Sequence, residues 1–365
     1  MTRNVYRPLK APTIVISSIM VTLLENLRKH TVVDVDSNDD TIAAKYKPVH
    51  DMTSNQAIVL GELSKPHHQA IIPEGAKAGI KLAKEDGITN ENLIAQLAVD
   101  FMTVMLGARV FPHLEPTGYV HAQTLPTLAY DTAGTVGHAQ QLVRLYGLVG
   151  IPRERVCIKI PSTVEGLRAC AILEHLPQPI RTLATTCFCV AQAVAAAGAG
   201  CAYVAPYVNP LWVHFPDGKH VVYAEPLLEM RGMMALRDIQ VEFRRRGVTR
   251  TKVMAASLVT TNEAACLTGI DHATLSGNVL ELLATTELTP EWEAVTNKAV
   301  TAYTRPSEPT KTEHIQYLLE EPATELRDAL NKPEIEELLK DALARFGTAE
   351  AGLIQLALGA LKASQ

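Results

Sequence analysis

Lys159 stands inside an otherwise apolar run, Val156, Cys157, Ile158, Lys159 and Ile160, closed by Pro161. Lysine is among the residues least often taken out of water, because an ammonium without a partner is costly to bury. Burial also lowers the pKa of the amine, and a neutral amine can add to a ketone carbonyl and form an imine. Such a lysine reads either as a nucleophile or as a side chain that snorkels from a strand end or pairs with a carboxylate. This strand by itself leaves both readings open.

A nucleophile of this kind needs a rigid frame. Short β-branched or apolar runs alternate along the chain with longer helical segments, which is the pattern of βα repeats. Eight strands are expected, at Thr31–Asp36, His50–Ser54, Gly118–Thr124, Val156–Ile160, Thr182–Thr186, Ala202–Tyr207, Lys252–Ser257 and Ala273–Ser276. Helices are expected at Asp131–Tyr146, Val164–His175, Val190–Ala197, Glu225–Arg246 and Thr261–Thr268, spaced for right-handed crossovers. The fold class is therefore α/β, a TIM (β/α)8 barrel. It is expected as one domain with an N-terminal extension over residues 1–21, the barrel over 22–289 and a helical extension over 290–365, broken at Pro306, Pro309, Pro322 and Pro333.

Chemistry in such a barrel sits at the C-terminal ends of the strands. The polar residues there are Asp36, Thr53, Asn55, Gln123, Lys159, Thr185, Tyr207, Ser257 and Ser276. Ser276 has no further support and reads as structural.

The run VCIKIPSTVEGLRA, Val156–Ala169, resembles the segment of transaldolases in which a strand lysine forms the Schiff base, followed by a Pro, Ser/Thr, Glu, Gly pattern. VDVDSND (Val33–Asp39), DMTSN (Asp51–Asn55) and TLAYDT (Thr127–Thr132) occur in the order of that family. An LLENLRKHT lead-in and an ARFGTAE segment near the C-terminus extend the resemblance over residues 22–355. The resemblance implies class I aldolase chemistry on Lys159, with Asp36 as acid/base and Asp34 as its rival for that role. It places Thr53 and Asn55 near the donor hydroxyls and the ARFGTAE helix over the site. It implies no metal or organic cofactor, a small-molecule ketone donor, an aldehyde acceptor and a homo-oligomer.

The departures from transaldolases narrow the expectation. Where that family carries Glu, Asn, Ser and Phe, this chain has Gln123, Leu183, Ala205 and Tyr207. The set resembles the fructose 6-phosphate aldolase branch, as do AYVAPYVN (Ala202–Asn209) and KVMAAS (Lys252–Ser257). Gln123, Thr185 and Tyr207 offer neutral donors and acceptors that can hold one proton-shuttling water near the imine carbon, which suits release of a free ketone. Ala205 and Ser257 are carried over as substrate-binding positions.

The family's two basic phosphate contacts fall on Pro210 and Val259. Neither side chain offers the paired charge-assisted hydrogen bonds by which arginine holds phosphate. The acceptor is therefore expected to be unphosphorylated or more apolar than a sugar phosphate, unless Arg181, Arg231 or His214 compensates. Leu211–His220, with Trp212, Phe215 and Pro216, reads as an apolar acceptor pocket or as a surface loop. The functional expectation is a Schiff-base aldolase in a specialised pathway. A transaldolase and a catalytically silent paralogue are the alternatives.

Composition excludes other classes. With 47% apolar residues, a net charge of −5 and no long run of one sign, nothing suggests a nucleic-acid or membrane surface. The six cysteines, Cys157, Cys170, Cys187, Cys189, Cys201 and Cys266, lack zinc-ligand spacing and read as reduced thiols. His67 and His68 read as neighbours diverging on a helix, so no metal site is expected. Arg3, Arg7 and Lys10 before the apolar stretch Ala11–Leu24 superficially match a secretion signal, but Glu25, Arg28 and Lys29 follow at once. A helix packed outside the barrel of a cytoplasmic enzyme is expected instead.

Overall fold

The computed structural model describes residues 20–304 and 323–363. Seven parallel strands form one sheet: β1 (Val32–Val35), β2 (Val120–Gln123), β3 (Val156–Pro161), β4 (Arg181–Cys187), β5 (Tyr203–Pro206), β6 (Lys252–Ala255) and β7 (His272–Leu275). Their order is β1-β7-β6-β5-β4-β3-β2, which leaves β1 and β2 as the edges. The segment expected as a strand at His50–Ser54 lies between these edges without forming a regular strand. The backbone N–H of Val35 donates to Asp51 and that of Thr53 to Val35, while Met52 donates to Tyr119 and His121 to Met52, all at 2.9 Å. Single bridges at Met52 thus close the sheet through an eighth position, as a TIM barrel requires.

Residues alternate between two faces with period two. Val33, Val35, Ile158, Ile160, Ala184, Val204, Val253 and Leu275 point outward into one cluster with the helices. Cys157, Leu183, Tyr203, Ala205 and Met254 point inward. Lys159 shares the phase of Cys157, so the pleat itself aims it into the barrel.

The N-terminal half of the interior is filled by acid and imidazole groups. Asp34 Oδ2 lies 2.9 Å from His272 Nδ1, and Asp34 Oδ1 accepts the Asp51 N–H at 2.9 Å. Asp51 lies 2.7 Å from His50 and 2.9 Å from His121. Each buried carboxylate thereby has the hydrogen-bonding partners that burial demands.

Several helices differ from expectation. Glu225–Arg246 divides into Pro226–Glu229 and Arg231–Arg245, with an extended Met230 between them. The break lets Gly232 press onto the end of β5, where any Cβ would stand 2.0 Å from the Val208 carbonyl. Thr261–Thr268 contracts to Thr261–Ala265. Near the N-terminus a helix spans Leu23–Arg28 behind a Thr22–Glu25 capping box. Arg3, Arg7, Lys10 and most of Ala11–Leu24 lie outside the described residues, as do Pro306, Pro309 and Pro322. The helix Glu91–Val110 with its turn to His113 is long and apolar enough to cross a membrane, and it packs within the helical layer.

Pro333 occupies the first position of a 31-residue helix, Pro333–Ala363, where its missing N–H costs nothing. One stripe of this helix does two jobs. Ile335, Leu339, Ala342 and Phe346 cover Leu183, Ala205 and Tyr207 at the C-terminal mouth of the barrel. Leu353, Ala357 and Leu361 pack on Val59, Leu63, Ile71 and Met102. Each large apolar side chain so buried contributes about 1.5–3 kcal/mol.

Candidate active site

Lys159 is 2% exposed. Its register neighbours are Gln123 on β2 and Leu183 on β4. Among the described residues its Nζ has no hydrogen-bond or ion-pair partner within 4 Å. Burial lowers its pKa, and the Asp36 charge opposes that only in part. The amine is thus biased toward the neutral, nucleophilic form.

The loop after Lys159 is fixed by its own sequence. Thr163 caps the following helix by accepting the Gly166 N–H at 2.9 Å. Position 166 tolerates only glycine, since a Cβ would meet the Pro161 carbonyl at 2.1 Å. Gln192 binds this loop to the next one: its Nε2 donates to Ser162 O and Thr186 O at 3.1 Å, and its Oε1 accepts from Phe188 N at 2.8 Å. Thr186, at φ +53°, and Ser257, at φ +65°, are left-handed non-glycine residues at strand ends of this mouth. Such backbone persists where the surroundings enforce it, as at ligand sites.

Asp36 follows β1, and its N–H donates to Leu275 O at 2.9 Å. Thr53 Oγ1 stands 2.6 Å from both Asp36 Oδ1 and Thr274 Oγ1. Asp36 is therefore held at the mouth. Asp34 is engaged with His272 and Asp51 in the opposite half of the barrel. Asn55, expected near the donor hydroxyls, accepts the Ile58 N–H at 3.0 Å and caps the helix Gln56–Leu63.

Thr185 Oγ1 lies 3.1 Å from the Tyr207 hydroxyl. Burial pushes the Tyr207 hydroxyl well above its ordinary pKa, so it stays protonated and can donate. Phe188 packs edge-on to Tyr207 at 5.5 Å. Gln123 donates to Gln56 Oε1 at 2.9 Å, and Gln56 Nε2 donates back to the carbonyls of Gln123 and Thr124 at 3.1 Å. The Gln123 Oε1 is buried and accepts no hydrogen bond from the protein. Ala205 is sealed in the apolar cluster with Leu183 and Phe346.

Beyond Tyr207 the expected acceptor end is built around Glu263. Its Oε2 accepts from Val259 N at 2.8 Å, Thr260 N at 3.2 Å and Asn209 Nδ2 at 3.0 Å, and its Oε1 lies 2.7 Å from His220. The backbone donors at this loop are already satisfied by a carboxylate. His214 Nε2 lies 2.9 Å from Ser257 Oγ, and burial lowers the His214 pKa, favouring the neutral ring.

Of the residues expected to compensate for missing phosphate contacts, Arg181 begins β4 and stacks over Tyr119 at 5.1 Å. A strand's first residue points to the N-terminal mouth, so Arg181 is excluded. Arg231 pairs with Glu334 at 3.0 Å.

The segment Leu211–His220 starts as a turn, Leu211–His214. Arg345 of the long helix binds Asp217 through two 2.9 Å contacts and covers Phe215 at 4.8 Å. Trp212 lines a cavity of about 310 Å³ with Tyr207, Pro210, Met230, Arg231 and Leu338. This cavity lies beside the lysine's mouth and does not include Lys159.

Gln56 and Thr274 are not singled out by the sequence because their partners are distant along the chain, whereas Gln192 and Glu263 join local capping boxes to contacts with distant loops. Two further groups come together only in the fold. Asp34, His50 and His272 form one, and Glu62, His67 and His68 the other. Contrary to expectation, His67 and His68 do not diverge on an α-helix. They share the 3-10 turn Pro66–His68, with ring centroids 4.1 Å apart.

The profile of the family described as transaldolase/fructose-6-phosphate aldolase matches residues 32–355. A transaldolase of Nostoc punctiforme is 33% identical over 266 residues, covering 72% of this chain and 76% of that protein. A transaldolase of Sus scrofa is 33% identical over 277 residues, covering 74% and 78%. A transaldolase of Saccharomyces cerevisiae is 30% identical over 338 residues, covering 91% and 94%.

Proposed function

The chain belongs to the transaldolase/fructose-6-phosphate aldolase family, enzymes of the Schiff-base aldolase and transferase class, and within that class we propose that it is an aldolase joining a free hydroxyketone to an unphosphorylated aldehyde. In this reading Lys159 Nζ adds to the ketone carbonyl, water leaves, and the resulting iminium accepts the electron pair of the adjacent C–C or C–H bond. Asp36 moves the protons of addition and dehydration, while Thr53 and Asn55 orient the donor hydroxyls. Gln123, Thr185 and Tyr207 hold the water that protonates or deprotonates the enamine carbon, after which hydrolysis frees Lys159 and a ketone.

The observation that carries the lyase reading is the neutral Thr185–Tyr207 pair with the buried, open Gln123 Oε1, in place of a carboxylate and a phenylalanine. The acceptor reading is supported by Glu263, whose carboxylate occupies the loop amides beside Pro210 and Val259 and would repel a phosphate. Each charged hydrogen bond missing from a phosphate site is worth about 1.5–3 kcal/mol. Glyceraldehyde is accordingly expected to exceed glyceraldehyde 3-phosphate as acceptor by at least about tenfold in kcat/KM. A preference for the phosphorylated aldehyde in steady-state assays defeats this reading.

The relatives' own names favour a second reading, transfer of a three-carbon unit between sugars. Steady release of free dihydroxyacetone without any acceptor would count against it. A silent paralogue requires that borohydride with dihydroxyacetone leave Lys159 unmodified.

A further inference from the structure

A second cluster lies outside the reaction centre, where the helix Gln56–Leu63 ends against the start of the helix Asp40–Lys45. His68 is fully buried, yet among the described residues neither ring nitrogen has a hydrogen-bond partner. Its Nδ1 lies 3.3 Å from Glu62 Oε2, and its Nε2 lies 3.6 Å from Asp40 Oδ1. Glu62 Oε2 is likewise buried, with the Lys65 ammonium 2.9 Å away. His67 lies alongside, its Nε2 3.7 Å from Asp39 Oδ2. One ligand atom from each of Glu62, His67 and His68 falls within 4.8 Å of the others.

We propose that Glu62, His67 and His68 bind one divalent transition-metal ion of the zinc class. Two ligands held about 2.0–2.1 Å from a tetrahedral ion stand about 3.3 Å apart, as the His68 and Glu62 atoms do. Two histidines and a carboxylate are a donor set that zinc takes. A carboxylate stands near the Nε2 of each imidazole, Asp39 3.7 Å from His67 and Asp40 3.6 Å from His68, the side on which the outer partner of a metal-bound histidine sits. Charge argues the same way. Among the described residues of the cluster, Lys65 contacts Asp39 and Glu62 at 2.9 Å and Asp40 stands by His68, so three carboxylates against one ammonium leave two negative charges for a divalent ion to balance.

The other group, Asp34, His50 and His272, is a poorer host. Its carboxylate and imidazoles are engaged with each other and with Asp51 at 2.7–2.9 Å. Protons already satisfy it.

The ion's role is structural. Ser37 Oγ contacts Glu62 Oε1 at 3.4 Å and accepts the Asp39 N–H at 3.1 Å, so the ion would brace the turn that follows Asp36. The test uses the full chain stripped with a chelator and titrated with Co²⁺, followed by Zn²⁺ displacement. The expected result is one equivalent of Co²⁺ with tetrahedral d–d absorption, bleached by Zn²⁺, and a Tm raised by roughly 5 °C at a hundredfold excess of Zn²⁺ over its Kd. His67→Ala removes a half-exposed side chain without burdening the fold, and Glu62→Gln keeps the shape. Each should weaken uptake at least about tenfold. Absence of stoichiometric uptake overturns the proposal. So does uptake that survives both substitutions, which would move the ion to another group such as Asp34, His50 and His272.

Discussion

Lys159→Met is expected to reduce kcat/KM by about 10⁴-fold or more, because removing a covalent nucleophile leaves only binding and positioning. Borohydride with dihydroxyacetone should then give no adduct by mass spectrometry, whereas the unsubstituted chain carries one at Lys159. The same substitution should leave Tm unchanged or raise it. Lys159 is buried without a partner among the described residues, so a methionine of similar length removes a desolvation cost while filling the space. Lost activity with kept or gained stability separates a nucleophile from a packing lysine. A fall in Tm together with a surviving adduct would contradict the assignment.

The lowered pKa sets the pH behaviour. Imine formation needs the neutral amine, so its rate should level off at a pH below the ordinary lysine value near 10.5. The sign for stability follows from the same direction. The unfolded lysine holds a proton that the folded one has released between the two pKa values. Stability therefore rises with pH across that window and is lower below it. Lys159→Met should flatten that slope in denaturation measured over pH.

Asp36→Asn is expected to lower kcat by about 10²–10⁴-fold, the range for a positioned acid/base group. Trapping at Lys159 should persist, since the amine is untouched. Asp34→Asn supplies the contrast. Its carboxylate supports His272 and the Asp51 amide in the other half of the barrel, so its loss should appear in Tm while kcat stays within about tenfold. Equal losses of kcat from the two substitutions would mean that the acid/base role is not confined to Asp36.

Lys159 was legible because a charge in an apolar strand is a local anomaly, and period-two alternation then settles which way it points. Thr185 and Tyr207 were legible as strand-end polar residues, and the structure places their hydroxyls 3.1 Å apart. The eighth barrel position was legible in place but not in form. Met52 joins both neighbours by single bridges, a pairing that hydrophobic pattern does not encode. Arg181 shows that residue type alone does not place a side chain at a site, since it opens β4 and so stands at the N-terminal mouth. Gln56 is not legible in the sequence, because it binds backbone groups of a loop that meets it only after folding. Glu263 and Gln192 also act locally, closing capping boxes with Thr260 and Cys189, and the Thr260–Glu263 spacing is one the sequence displays. His67 and His68 depart from expectation in two ways: they share a 3-10 turn rather than an α-helix, and their rings meet at 4.1 Å although adjacent side chains leave such a turn about 120° apart.

The helix Pro333–Ala363 has a consequence for the order in which this molecule is made. All seven strands precede residue 276, so the barrel can assemble while the ribosome is still translating the remainder. Leu183, Ala205 and Tyr207 then wait uncovered until Ile335, Leu339 and Phe346 arrive. During synthesis the apolar patch beside Lys159 is a sticky surface, and a stalled chain displays it permanently. Such an intermediate shows apolar surface of the kind that chaperones and proteases act on until the helix Pro333–Ala363 docks.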